Sequence, residues 1–206
     1  MSLDPFGGIH VNKDLSVSII SSTATRPAAW VRNVGVVLAG SALLAICSHI
    51  ALPLYFTPVP LTLQTFAVLL LALLLSPRLA AATMIAYLAE GAVGLPVFAP
   101  APALPGLAHL LGPTGGYLMS YPMVAALIAF LWQRIHRGVL GAAISAAAGC
   151  IVILSCGALW LNAFSHAGAS AVLASAVLPF VPGELLKIAA AASVAGGLRR
   201  SRLINT

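Results

Sequence analysis

Charge is what this sequence has least of. Only 7% of its 206 residues are charged, and the acidic ones number four, whereas a soluble domain carries about 25% charged residues. A chain that is 61% hydrophobic, with mean hydropathy +1.05, cannot wet the surface of a globule this size. That excludes a soluble fold and makes the chain an integral membrane protein. Cysteine is scarce too. Cys47, Cys150 and Cys156 are odd in number, lie in apolar runs and fit no metal or redox spacing, so they read as small lipid- or core-facing residues. There is no G-x-x-x-x-G-K-[ST] loop, no G-x-S-x-G and no H-E-x-x-H, which argues against nucleotide hydrolysis and the familiar hydrolase chemistries. No secretory signal peptide is visible. Residues 1–30 are polar and Ser/Thr-rich between 16 and 25, and read as a cytoplasmic extension.

What the sequence has in abundance is long apolar runs. A helix needs about 20 apolar residues to cross a bilayer, with a range of roughly 17–25. Six crossings are expected: about Asn33–Leu52, Leu61–Leu75, Arg78–Leu95, Gly115–Trp132, Gly138–Phe164 and Phe180–Leu198, with a short helical piece at Ala169–Leu178. The expected architecture is therefore an all-α, six-helix membrane bundle. A polar cytoplasmic tail (1–32) precedes a membrane domain (33–199), and a short basic tail (200–206) follows it. Basic residues orient the bundle. Lys13, Arg26 and Arg32 precede the first helix, Arg78 sits in the second connection, Arg134 and Arg137 in the fourth, and Arg199, Arg200 and Arg202 follow the sixth. The connections 53–60, 96–113 and 165–179 hold no Lys or Arg. By the positive-inside rule both termini face the cytoplasm. The net charge of +6 is thus membrane topology, and no nucleic-acid partner is implied.

The remaining basic residue, Lys187, lies inside a span, as do Glu90 and Glu184. At 1.5 Å per residue, Glu184 and Lys187 lie roughly 6 and 10 Å below the outer end of their helix, and Glu90 roughly 7 Å below the outer end of its own. A shared depth points to a pocket opening outward, because intramembrane charges usually line substrate or ion paths. Glu184 and Lys187, three apart on one helix face, also fit a structural clip. Glu90 also fits a snorkelling or neutral side chain. His49, His109 and His166 lie toward the outer side without forming a metal set, and read as interfacial polar residues.

The outer connections read "ALPLYFTPVPLTLQ", "GLPVFAPAPALPG" and "VLPFVPGE". Proline ends helices and fixes φ, so these should be stiff apolar caps, suited to a small amphipathic molecule. In "LLGPTGGYLMSYP", Gly115 and Gly116 permit close backbone approach, and Tyr117 and Tyr121 share a helix face. An interfacial aromatic belt explains the tyrosines equally. Thr62 and Gln64 add uncharged hydrogen-bonding groups at the outer start of the second helix.

Together, "TPVPLTLQTFAVLLLALLLSPRLAAATMIAYL", "GLPVFA", "LGPTGGYLMSYP" and "PGELLK", in this order, resemble the BioY family, the biotin-specific substrate-binding (S) components of energy-coupling-factor transporters. The resemblance covers residues 33–199. It implies six helices, a biotin site near the outer face, and a multi-pass protein of the bacterial inner membrane. It implies work with a transmembrane T component and two ABC-type ATPases, without catalysis or cofactor by this chain. By the resemblance, Glu184 and Lys187 contact polar ends of the ligand; Tyr117, Tyr121, Gly116, Gln64, Glu90 and Tyr87 are the further candidate substrate-binding residues. Family members often carry Asp where Glu184 stands, and some carry an Arg after "GLPVF" that this chain lacks. The resemblance also implies T-component docking through small residues of the first helix, here Gly35, Ala39, Ser41, Ala42 and Ala45; packing within the bundle fits that pattern equally. The rival readings are an S component for another vitamin or small metabolite, and a stand-alone secondary transporter.

Overall fold

The computed structural model describes residues 25–100, 105–135, 138–166 and 168–204. The tail through residue 24, Lys13 within it, Arg137 and cap residues 101–104 fall outside the described residues, as do the side chains of Arg26, Arg199, Arg200 and Arg202. The chain divides into two compact units, residues 1–36 and 37–206. The described part of the first is the start of helix α1 (Thr25–His49), which begins before the expected Asn33. Everything below concerns the second unit unless stated.

After α1 the chain forms a two-residue antiparallel pair, β1 (Ala51–Leu52) with β2 (Leu61–Thr62), in the register Ala51↔Thr62. This corrects the all-α expectation in one place. The Pro58–Pro60 stretch cannot continue a helix, and the hairpin satisfies backbone groups flanking it. Helices α2 (Gln64–Leu74), α3 (Pro77–Ala92), α4 (Leu107–Leu110), α5 (Gly115–Arg134), α6 (Val139–Ser165), α7 (Ala169–Ala176) and α8 (Val181–Ile204) follow. The last continues past residue 200, so most of the expected short tail is helical.

Among the described residues, four helices are long and apolar enough to cross a membrane: Ala29–His49, Gly115–Arg134, Val139–Ser165 and Val181–Leu198. The expected second and third spans are shorter, at 11 and 16 residues. Proline sets the boundary between them. Pro77 occupies the first turn of α3 and holds Ser76 extended at ψ 155°, so α2 cannot run on into α3.

The fully buried side chains include Leu44, Val68, Leu69, Met84, Tyr87, Val124, Ile128 and Ile153. Large apolar residues such as Ile46, Leu140, Ile151, Leu159 and Leu186 are exposed. Apolar residues both inside and outside are what a lipid-facing bundle requires. With no hydrophobic drive between helices in lipid, close packing through small residues holds them together. Helix α5 packs on α6 and α3, while α8 packs on α2 and α6. The α5–α6 contact depends on glycine: a Cβ at Gly149 would overlap Ile128, and one at Gly157 would overlap the Tyr117 ring.

Candidate ligand site

The "PGELLK" stretch opens α8. Pro182 lies in the first turn, where its missing N–H costs nothing, and Glu184 follows within that turn, where the helix dipole favours an anion. Three residues on, Lys187 returns to the same face. Its Nζ lies 2.7 Å from Glu184 Oε1. Both are buried, at 5% and 9% exposed.

The pair is closed by α2. The Lys187 ammonium donates to Thr65 Oγ1 at 2.7 Å, and the Thr65 hydroxyl donates to Glu184 Oε1 at 2.8 Å. From α6, the Cys150 thiol donates to the other carboxylate oxygen, Oε2, at 3.4 Å. Oxygen Oε1 thus takes two strong bonds and Oε2 one weak one. An ammonium has three donors and a carboxylate about four acceptor sites. Among the described residues, one Lys187 N–H and much of Oε2 are left over, beside empty space.

That space is a cavity partly open to the exterior. Glu184 and Lys187 line it together with Gln64, Thr65, Tyr117 and Tyr121. The rest of the wall is mainly apolar, from Val59, Pro60, Leu118, Ile153, Leu154 and Phe180. The cavity therefore offers one compensated ion pair, several neutral polar groups and aliphatic and aromatic surface. It suits a small molecule with an apolar body and polar ends.

Behind the wall the side chains are fixed by hydrogen bonds. The Gln64 amide donates to Tyr87 OH at 2.8 Å, and Tyr87 donates to the Val97 carbonyl at 3.0 Å. Tyr87 is fully buried and stands behind Gln64, outside the cavity lining. Tyr117 OH is tied to the Ala176 carbonyl at 2.8 Å, so it presents its ring rather than its hydroxyl. Gly116 packs against Trp160 and the Cys156 carbonyl. It brings α5 onto α6 without itself lining the cavity.

Glu90 is placed elsewhere. It is half-buried and accepts a 2.8 Å hydrogen bond from Ser41 on α1. It does not line the cavity, so the shared depth of the three charged groups does not make one cluster. The same bond turns Ser41, 2% exposed, into the unit, away from any partner surface. Ala39 and Ala42 are exposed and Ala45 is half-buried; Gly35, in the first unit, is exposed.

Several wall residues were not singled out from sequence. Thr65 follows Gln64 directly in "LQTF", and its polarity in an apolar run was the available signal. Cys150 looks like packing until Glu184 is set opposite. Thr114 heads α5 and also lines the cavity. His109, expected at the interface, is instead 3% exposed, lines the cavity and stacks on Phe98 at 4.8 Å between ring centroids.

Fold and site define an apolar helical membrane protein that holds a small-molecule cavity around a buried ion pair. The comparisons with known proteins are specific. The BioY family model matches residues 16–203, and the chain belongs to the BioY family. It is 39% identical over 142 residues to a protein named probable biotin transporter BioY from Pyrococcus horikoshii, covering 69% of this chain and 82% of that one. It is 36% identical over 160 residues to the biotin transporter BioY of Thermotoga maritima, covering 78% and 91%. The crystal structure of the S-component for biotin from an ECF-type ABC transporter superposes with a TM-score of 0.77 at 27% identity, covering 84% of this chain and 93% of that one.

Proposed function

We propose that this protein binds biotin from the outer side of the membrane and serves as the biotin-specific S component of an ECF-type transporter. The observation that carries this reading is the cavity lined by the closed Glu184–Thr65–Lys187 ring, with one ammonium donor and one carboxylate oxygen left for a ligand. Biotin has an apolar ring and chain, a ureido head that both donates and accepts, and a carboxylate. The likeness to biotin transporters supports the choice of ligand.

The finer topology belongs to the same proposal. Helices α2 and α3 complete six crossings with the four long ones, both termini lie in the cytoplasm of a bacterium, and the cavity opens outward. The distribution of Lys and Arg supports that orientation. The polar tail 1–32, the membrane domain 33–199 and the basic end 200–206 are its parts. The functional partners are a T component and two ABC-type ATPases, docked through the exposed small residues of α1 rather than through Ser41. The chain itself carries no cofactor and performs no catalysis.

The test is equilibrium titration of detergent-purified protein with biotin and, in parallel, with other vitamins. Saturable binding of one biotin per chain is expected, together with ATP-dependent uptake only when T component and ATPases are co-reconstituted. Binding of a different vitamin but not biotin would replace the ligand. Concentrative uptake by this chain alone would remove the partners.

A further inference from the structure

The apolar outer surface of α1 does not stop where the helix does. Ile46 and Ile50 are exposed around its end. The chain then runs into the β1–β2 hairpin, where Leu52, Tyr55 and Phe56 are exposed at 60%, 105% and 63%, with Pro53 and Pro58 exposed beside them. No Asp, Glu, Lys or Arg occurs between residues 33 and 77, so the hairpin offers water no charged group. Contiguous exposed apolar surface of this kind marks a contact with protein or membrane.

The tip is held out on a built arm. The pairs Ala51↔Thr62 and Leu52↔Leu61 close its base, and the Leu63 N–H donates to the Ile50 carbonyl at 3.0 Å. At the apex the Thr57 N–H donates to the Leu54 carbonyl at 3.3 Å, a turn with Tyr55 and Phe56 as its two central residues. The Val59 N–H donates to Thr57 Oγ1 at 3.3 Å, and prolines 53, 58 and 60 restrict the backbone further. The returning arm serves the cavity: Val59 and Pro60 are buried and line it with Thr62. Tyr55 and Phe56 do not line it, so the cavity does not account for them.

Two features select lipid as the cover. The tip prolongs the exposed face of a helix long and apolar enough to cross a membrane, and a hairpin springing from the end of such a helix lies near the level of the headgroups. Its apex pairs a tyrosine with a phenylalanine. A phenol has an apolar ring and a polar tip, which suits the membrane–water interface, and a phenyl ring suits the acyl chains beneath.

We propose that the 53–58 tip is a lipid-interface anchor, with Phe56 against the acyl chains and the Tyr55 hydroxyl among the headgroups. The strand that walls the cavity is thereby fixed to the bilayer as well as to the protein. The assignment is independent of which ligand the cavity takes.

The test places a nitroxide on Tyr55→Cys and Phe56→Cys in phosphatidylcholine vesicles, with Ile46→Cys as the lipid-facing benchmark. The parent is labelled in parallel to subtract Cys47, Cys150 and Cys156, the first two of which are buried. Collisions with oxygen, which concentrates in lipid, are compared with those of a nickel chelate, which stays in water. At position 56 oxygen should exceed nickel at least threefold and match position 46 within twofold, with position 55 between lipid and water. Nickel contact equal to oxygen contact at both positions would place the tip in water and overturn the anchor. Exclusion of both reagents would mean that protein covers the tip, either the cavity rim or a second copy, and would overturn it too. Phe56→Trp needs no label and keeps the question open to measurement if the cysteine variants fail to fold. After subtraction of the three native tryptophans, its fluorescence should be quenched by lipids brominated on their acyl chains and spared by iodide; quenching by iodide alone would overturn the assignment.

Discussion

Glu184 and Glu90 are the two acidic residues of the apolar helices, and the structure treats them differently. Glu184 faces an ammonium, a hydroxyl and a thiol, each from a different residue, beside empty space. Glu90 meets the Ser41 hydroxyl on a half-buried face and does not line that cavity. Each lies within a few residues of one end of its helix; what its side chain meets is not the same. An acid in lipid is therefore not a site by virtue of cost alone. A site needs residual hydrogen-bonding capacity turned toward a space that a ligand can enter. Glu90 has a modest structural task, tying α1 to α3, and Glu184 has capacity to spare.

The strongest way to break this contrast is at Lys187. Lys187→Met keeps the length of the side chain and removes the charge. It deletes one hydrogen bond between a charged group and ligand, about 1.5–3 kcal/mol, which is roughly ten- to a hundredfold in affinity. It also leaves Glu184 without its cation. Biotin titration of the monodisperse variant should show at least a tenfold loss. Parent-like affinity with lowered thermal stability would make the pair a clip.

Thr65→Val comes next. The direct Lys187–Glu184 contact survives at 2.7 Å, but the hydroxyl that accepts from one and donates to the other is gone. Both lost bonds are to charged groups, about 1.5–3 kcal/mol each, but neither is a bond to the ligand, so only part of that loss reaches binding and affinity should fall by roughly two- to tenfold. Because Thr65 orients both groups, Thr65→Ser should restore most of it. If Thr65→Val binds as the parent does, the ring is incidental to the site.

How much of this was legible in the residues can be judged from the same side chains. The membrane class followed from missing charge, and the Glu184/Lys187 face from a spacing of three; both are local properties, and the structure keeps them. The fault lay in distance across the fold. Glu90 and Glu184 are expected at one depth, but depth says nothing of which way α3 is turned, and only packing sets that. Thr65 and Cys150 become polar partners because α2 and α6 are brought onto α8, a pairing that no single segment encodes. Ser41 matched a small-residue stripe, yet its hydroxyl had a partner 49 residues away. Proline misled in a different way. Pro60 is read as part of a stiff outer cap, whereas Pro77 goes unread, and the two bracket an α2 of only 11 residues.

The smallest expected effect is the most discriminating. Glu90→Gln removes the charge and keeps an amide oxygen able to accept from Ser41, so the α1–α3 tie should hold. Biotin affinity should change less than twofold. Thermal stability should hold as well, whereas Ser41→Ala, which deletes the bond, should cost about 1 kcal/mol, or roughly 2–4 °C for a chain of this size. Differential scanning fluorimetry with and without biotin separates the two: a structural tie lowers both melting points in parallel, while a ligand contact shrinks the gap between them. If Glu90→Gln shrinks that gap as Lys187→Met does, the outer end of α3 reaches the ligand in the bound state, and the two carboxylates belong to one site after all.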